Sequence, residues 1–220
     1  MCGRYRRRAD KQRIAEAFEA AIGLEDLYLE PSDDVRPGSM QPVVYLHSSG
    51  ERAISLMRWG FKTPDRLLFN ARSETVTKAN FWKDSFLKRR CLVPADGFYE
   101  WAKGQGSEKV KFTFTVPGRE VFGLAGVWSS WKNPKNGERE PTFSILTGEA
   151  NGVMRPIHDR QPIIAEPRDY REWLAENDRP PVHLLRLLPD EELRSTPAEP
   201  AEMPPDKPAP QQTELFGASE

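Results

Sequence analysis

The stretch "VKFTFTV" at residues 110–116 sets Val110, Phe112, Phe114 and Val116 in strict alternation with Lys111, Thr113 and Thr115. A period of two gives one apolar and one polar face, which is a half-buried β-strand. Upstream, the turn-forming "KGQGSE" joins it to "CLVPADGFYEW" at 91–101, a second strand. Downstream, "EVFGLAGVWSSW" and "PTFSILT" flank the turn-rich "KNPKNGERE". "PVVYLHS" at 42–48 and "RAISLMRWG" at 52–60 meet around "SGE" as a hairpin, and "RQPIIA" at 160–165 reads as a last strand. Helices are few. Asp10 caps "KQRIAEAFEAAIG", where Ile14, Phe18 and Ile22 recur at helical spacing and Gly23 offers a left-handed exit. Asn80 caps "FWKDSFLKR", and Pro167 opens "RDYREWLAE". The expected fold class is α+β: one domain over residues 1–187, with a curved or barrel-like antiparallel sheet and peripheral helices. From 188 the chain turns acidic and proline-rich, too poor in apolar mass to repay the entropy of ordering, so 188–220 is expected to be a disordered tail.

Lys and Arg total 32 against 33 Asp and Glu, yet the charge is not spread evenly. Residues 1–90 hold 17 basic and 12 acidic side chains, and residues 188–220 hold 2 and 8. A basic body suits a polyanion partner, and a patchy solvated surface explains it equally well. Two cysteines exclude a disulfide scaffold and point to a reducing compartment. No apolar run approaches the roughly 20 residues of a membrane span. "MCGRYRRRAD" lacks the apolar region of a secretory signal. The protein is expected in the cytoplasm, off the membrane, as a monomer. No ligand cluster suggests a metal, and no cofactor is expected.

One of the two cysteines is Cys2, directly behind the initiator methionine. Methionine removal requires a small second residue, and cysteine qualifies. The new terminus would pair an α-amine (pKa about 8) with a thiol (about 8.5). With an aldehyde, the amine forms an imine and the thiolate closes a thiazolidine on the same carbon, an intramolecular step of high effective concentration. The same pair also suits an N-terminal nucleophile hydrolase, with the amine as base. The plain alternative is a small residue that happens to stand second. Glu100, bracketed by Phe98, Tyr99 and Trp101, is either desolvated with a raised pKa or simply the solvent face of its strand. His158 lies in the proline-bracketed "MRPIHDRQP", a loop of the kind where function concentrates, whereas His47 and His183 read as surface residues. Asn70, between "RLLF" and "ARSE", orients a reacting group or caps a turn.

Together "MCGRY", "NARSET" at 70–75, "RRCLVPADGFYEW" at 89–101 and "IHDRQP" at 157–162 resemble the SRAP (SOS-response-associated peptidase) family. "RWGF" at 58–61 and "FGLAGVW" at 122–128 fit as well. The resemblance runs from Cys2 to about residue 187. It implies a protein that protects abasic sites in single-stranded DNA by a covalent cross-link through the N-terminal cysteine, on a barrel-like α+β domain with a positively charged cleft. On that basis Cys2 is the nucleophile, and Asn70, Glu100 and His158 complete the site. His158 would assist protonation of the sugar ring oxygen and Glu100 would shuttle protons. Gly3, Arg4 and Arg72 are carried over to the DNA path, Trp59 and Gly60 to the shape of the cleft, and Arg89 and Arg90 to its cationic lining. The family name keeps a thiol peptidase open, and a non-covalent single-strand binding module is a third reading. Two departures stand out. Asp34 and Arg36 occupy positions where many relatives carry Asn and Ala, and Gln161 replaces a commoner Met. In the tail, "QTELF" resembles the peptide with which bacterial repair proteins dock on the sliding clamp, Gln212 filling a polar subsite and Leu215 and Phe216 an apolar pocket.

Overall fold

The computed structural model describes residues 2–25, 27–63, 65–103, 109–132 and 137–198. In chain order the elements are β1 (Arg4–Arg7), α1 (Lys11–Phe18), β2 (Ser32–Val35), β3 (Met40–Leu46), β4 (Arg52–Trp59), β5 (Phe61–Lys62), β6 (Leu67–Leu68) and β7 (Asn70–Arg72). There follow α2 (Lys83–Lys88), β8 (Arg90–Ala95), β9 (Gly97–Lys103), β10 (Lys109–Thr115), β11 (Phe122–Lys132), β12 (Arg139–Glu149), β13 (Arg160–Pro162), β14 (Ile164–Ala165), α3 (Tyr170–Leu174) and β15 (Arg194–Pro197).

The larger sheet closes on itself. β12 pairs with β4, β4 with β3, β3 with β8, β8 with β11, and β11 with β12 again, a five-strand barrel. Long β12 then carries further short strands along both edges: β13 beyond β11 on one side, and β7 beyond β4 on the other. The β4 and β7 pairings are parallel, the exception in a sheet otherwise antiparallel. Alternation along each strand sorts the apolar side chains into two cores. Val44, Leu92, Ala125, Val127 and Leu146 face outward, where Ile14 and Phe18 of α1 and Trp173 of α3 cover them. Val43, Cys91, Val93, Phe143 and Ile145 face inward and join Tyr5, Phe98 and Phe114 from the inner face of a second sheet, ordered β15-β10-β9-β1-β2.

The fold class agrees with the sequence, and several boundaries move. "CLVPADGFYEW" is two strands in two sheets, broken at Asp96. The Asp96 carboxylate takes a hydrogen bond from Arg6 Nε at 2.7 Å and another from the Arg8 amide, so it pins the chain where it leaves the barrel for the smaller sheet. α1 ends at Phe18 rather than Gly23, because Arg52 Nη1 donates to Phe18 O at 2.8 Å and Glu19 itself turns left-handed at φ 50°. Gly23 is needed later, where a Cβ would lie 2.1 Å from Ile54 O. Asn80 does not cap α2, which begins after Trp82 without any side-chain cap. The domain also extends past 187: Leu188 and Leu193 are buried and β15 adds an edge strand to β10. "RSTP" carries no apolar alternation, so this strand is held by the edge it joins and not by its own pattern. The clamp-like Gln212, Leu215 and Phe216 lie outside the described residues. Among the described residues no helix is long and apolar enough to cross a membrane.

Candidate functional site

Cys2 enters the inner core just before β1 and is fully buried, in one cluster with Tyr5, Trp59, Phe143 and Met154. Burial pushes its thiol well up from the ordinary value, with the Glu100 charge adding to the same direction. The resting group is therefore a thiol, its sulfur 3.9 Å from Arg4 O. Glu100 sits on β9 opposite Phe112, on the same inward face as Phe98, and is only 4% exposed. The solvent-facing reading of Glu100 is thereby overturned. Asn70 opens β7, opposite Ile145 of β12, and its Nδ2 donates to Cys2 O at 3.0 Å. Its Oδ1 is buried and takes no hydrogen bond among the described residues, an acceptor in need of a donor.

His158 follows the turn that Met154 anchors, its amide bonded to Met154 O at 2.9 Å. Nδ1 accepts from the Arg160 amide at 2.9 Å and stands 3.0 Å from Asp159 Oδ1. The first contact suits the neutral ring with its proton on Nε2, and the second suits the imidazolium, so both protonation states have a partner. The Arg160 guanidinium ties this loop to the Asn70 strand. It donates to Thr147 O at 2.5 Å and pairs with Glu74, two residues beyond Arg72. Glu74 is held below the usual carboxylate range chiefly by that hydrogen bond. Arg160 and Glu74 lie inside "IHDRQP" and "NARSET", yet neither stands out there until the two loops are seen together.

The remaining expected residues divide. Arg4 is half-exposed and lies over the Trp101 ring at 5.2 Å, and Gly3 is half-buried beside it. Arg72 is exposed and lines a groove of about 660 Å³ with Leu67, Phe69, Asn70, Phe81 and Trp82. Phe81, 47% exposed, stands edge-on to Phe61 and Trp82 and is the aromatic that sequence alone did not distinguish. Trp59 is not a surface contact. It is fully buried, stacked on Phe143, with Nε1 donating to Phe69 O at 2.9 Å, and so holds the residue before Asn70. Gly60, at φ 115°, leaves room for Leu67, which a Cβ would strike. Arg90 is buried and bonded to four carbonyls, so it lines no cleft, whereas Arg89 is partly exposed and engaged with Asp84, Ser85 and Trp128 O.

Two buried thiols carry a pH consequence. Cys2 and Cys91 are both raised by burial, so folding favours their protonated forms. An unfolded chain loses these protons near pH 9 while the folded one keeps them, and stability falls as pH rises through that window. Thermal melts are expected to show a loss of about 2 kcal/mol between pH 9 and 10, from two groups at about 1 kcal/mol each. Cys91→Ala should halve that slope. An unchanged slope would contradict the burial of this thiol as its cause.

The model of the SOS response associated peptidase (SRAP) family matches residues 1–201. The chain belongs to the SRAP family. That span includes β15, in keeping with the extended domain boundary. Among curated relatives, the abasic site processing protein YoqW of Bacillus subtilis is 29% identical over 195 residues, covering 86% of each chain. The abasic site processing protein HMCES of Xenopus tropicalis is 31% identical over 202 residues, covering 76% of this chain and 60% of its own. Two solved structures share the fold. A Bacteroides thetaiotaomicron protein gives a TM-score of 0.78 at 21% identity, covering 90% and 92% of the two chains. A Bordetella bronchiseptica protein gives 0.77 at 24%, covering 90% and 100%.

Proposed function

We propose that this SRAP protein captures abasic sites in single-stranded DNA covalently, through a thiazolidine on Cys2. The observation that carries the reading is the gathering of Asn70 and Glu100 on the second residue: an amide bonded to its carbonyl and a buried carboxylate felt by its thiol. Once methionine is removed, the α-amine attacks the opened sugar aldehyde and water leaves as the imine forms. The thiol then adds to the imine carbon while its proton passes to nitrogen, so the net loss is one water. A thiol raised by burial makes the amine the first nucleophile. The iminium that forms beside Glu100 then offsets the charge that held the thiol up. Asn70 Oδ1 would accept from the amine or from a sugar hydroxyl. His158 would give its Nε2 proton to the ring oxygen as the sugar opens, with Asp159 and the Arg160 amide serving its two states.

The test is an oligonucleotide with one abasic site, read on a denaturing gel. A stable adduct that Cys2→Ala abolishes is the expected result. Peptide cleavage without an adduct would replace this reading with the peptidase, and neither result would leave a non-covalent binder. Phe81 supplies a platform for the neighbouring base, where stacking is worth about 1–3 kcal/mol. Phe81→Ala should therefore weaken binding to single strands about five- to a hundredfold in fluorescence anisotropy, and an unaltered Kd would remove Phe81 from the path. The tail segment with Gln212, Leu215 and Phe216 would tether the domain to the sliding clamp and so to replicating DNA. Deleting 212–216 without loss of clamp in a pull-down would exclude that.

A further inference from the structure

We propose that Asp34 is a built-in competitor for the DNA phosphate that Arg4 would take, and that it sets the protein's affinity for single strands. The inference rests on the partner being DNA, and it concerns one carboxylate on the edge strand β2. β2 pairs with β1 through Tyr5 and Val35, which brings Asp34 alongside Arg4, two residues from Cys2. Arg4 Nε lies 3.3 Å from Asp34 Oδ1, and Arg36 Nε donates to Asp34 Oδ2 at 2.8 Å. Lys111, over the Tyr99 ring at 3.7 Å, feels the same carboxylate. Arg4 and Arg36 thus share one anion, with Lys111 in its field.

A carboxylate and a phosphodiester each carry one negative charge and offer arginine the same pair of acceptor oxygens. Asp34 is fixed to the fold next to Arg4, so it competes as an intramolecular ligand at high effective concentration. A strand that approaches Cys2 past Arg4 must displace it, exchanging one anion for another, and then pass a carboxylate of its own sign. Asn at this position keeps the shape and an acceptor for Arg36 but removes the charge. Asp34 is 36% exposed in its side chain on an edge strand, so the change leaves the core untouched.

The experiment measures Kd for an intact single-stranded oligonucleotide by anisotropy at low salt, in wild type, Asp34→Asn, Arg4→Gln and the double variant, each checked by thermal melting. Asp34→Asn is expected to bind about three- to tenfold tighter, with the gain shrinking as salt rises. In the Arg4→Gln background the same substitution should change Kd less than twofold. Equal or weaker binding by Asp34→Asn, or the same gain without Arg4, overturns the inference while leaving the function in place. A wild type that binds no oligonucleotide removes the proposed function and this inference with it.

Discussion

A chain that keeps its initiator methionine is expected to give no denaturation-resistant adduct with an abasic oligonucleotide, at least about a thousandfold below the processed protein. The reason lies in which nitrogen is available. With Met1 in place, the nitrogen of residue 2 belongs to a peptide bond and has no lone pair to give an aldehyde. The thiol alone could add to the carbonyl, but that product reverts readily, and this thiol is buried and held protonated. Removal of methionine changes two things together. It creates the amine beside the sulfur, and places a cation near Glu100 and the Asn70 Oδ1 that takes no hydrogen bond among the described residues. Intact mass separates the two forms of the protein, and trapping on a denaturing gel compares them directly. Cys2→Ser should stop at the imine, because the hydroxyl closes a less stable ring, and borohydride would then be needed to see the adduct. Full cross-linking by the methionine-bearing form would sink the amine-first route.

How much of this was legible beforehand depended on whether a residue's role was set locally. The strand at 110–116 announced itself by its own alternation, and Asp10 announced α1 because its side chain is bonded to Arg13 N three residues on. Glu100 was half legible: aromatics around a carboxylate flagged it, but only the register of β9 against β10 decided which way it faces. Trp59 shows the opposite limit. A tryptophan beside a glycine in a motif suits a cleft wall as well as a core. The Phe143 stack and the Phe69 carbonyl that settle the matter lie 84 and 10 residues away. β15 was invisible for the same reason, since a polar edge strand borrows its order from its neighbour. The residues expected at the site were legible because motifs carried them. Their supports, Arg160 and Glu74, acquire meaning only once β12 has brought the two loops to its opposite edges.

Arg90→Met is expected to cost about 3–5 kcal/mol of stability, the largest loss of any single substitution considered, with little direct effect on DNA. "RR" at 89–90 reads as a pair of phosphate contacts, but β8 turns its second member, like Leu92, to the outer face of the barrel, where α2 and α3 bury it. Arg90 Nε donates to Trp173 O at 2.6 Å, Nη1 to Phe86 O at 2.6 Å and Leu87 O at 2.5 Å, and Nη2 to Ala175 O. Those four carbonyls are the last turns of α2 and α3, groups that a helix leaves without internal partners. One guanidinium therefore caps two helix C-termini, where a positive charge also meets the favourable ends of both dipoles. Burial pushes its pKa down to about 10, so it remains charged at neutral pH. Methionine replaces the stem's volume but none of the donors, leaving the carbonyls to be satisfied by whatever water can enter. At about 2–4 °C per kcal/mol for a domain of this size, the melting temperature should fall by about 6–20 °C. Arg89→Met, which breaks an ion pair with the exposed Asp84, should lose under about 1 kcal/mol. A melt that instead leaves Arg90→Met as stable as wild type while DNA binding collapses would mean that this side chain turns outward to the strand after all.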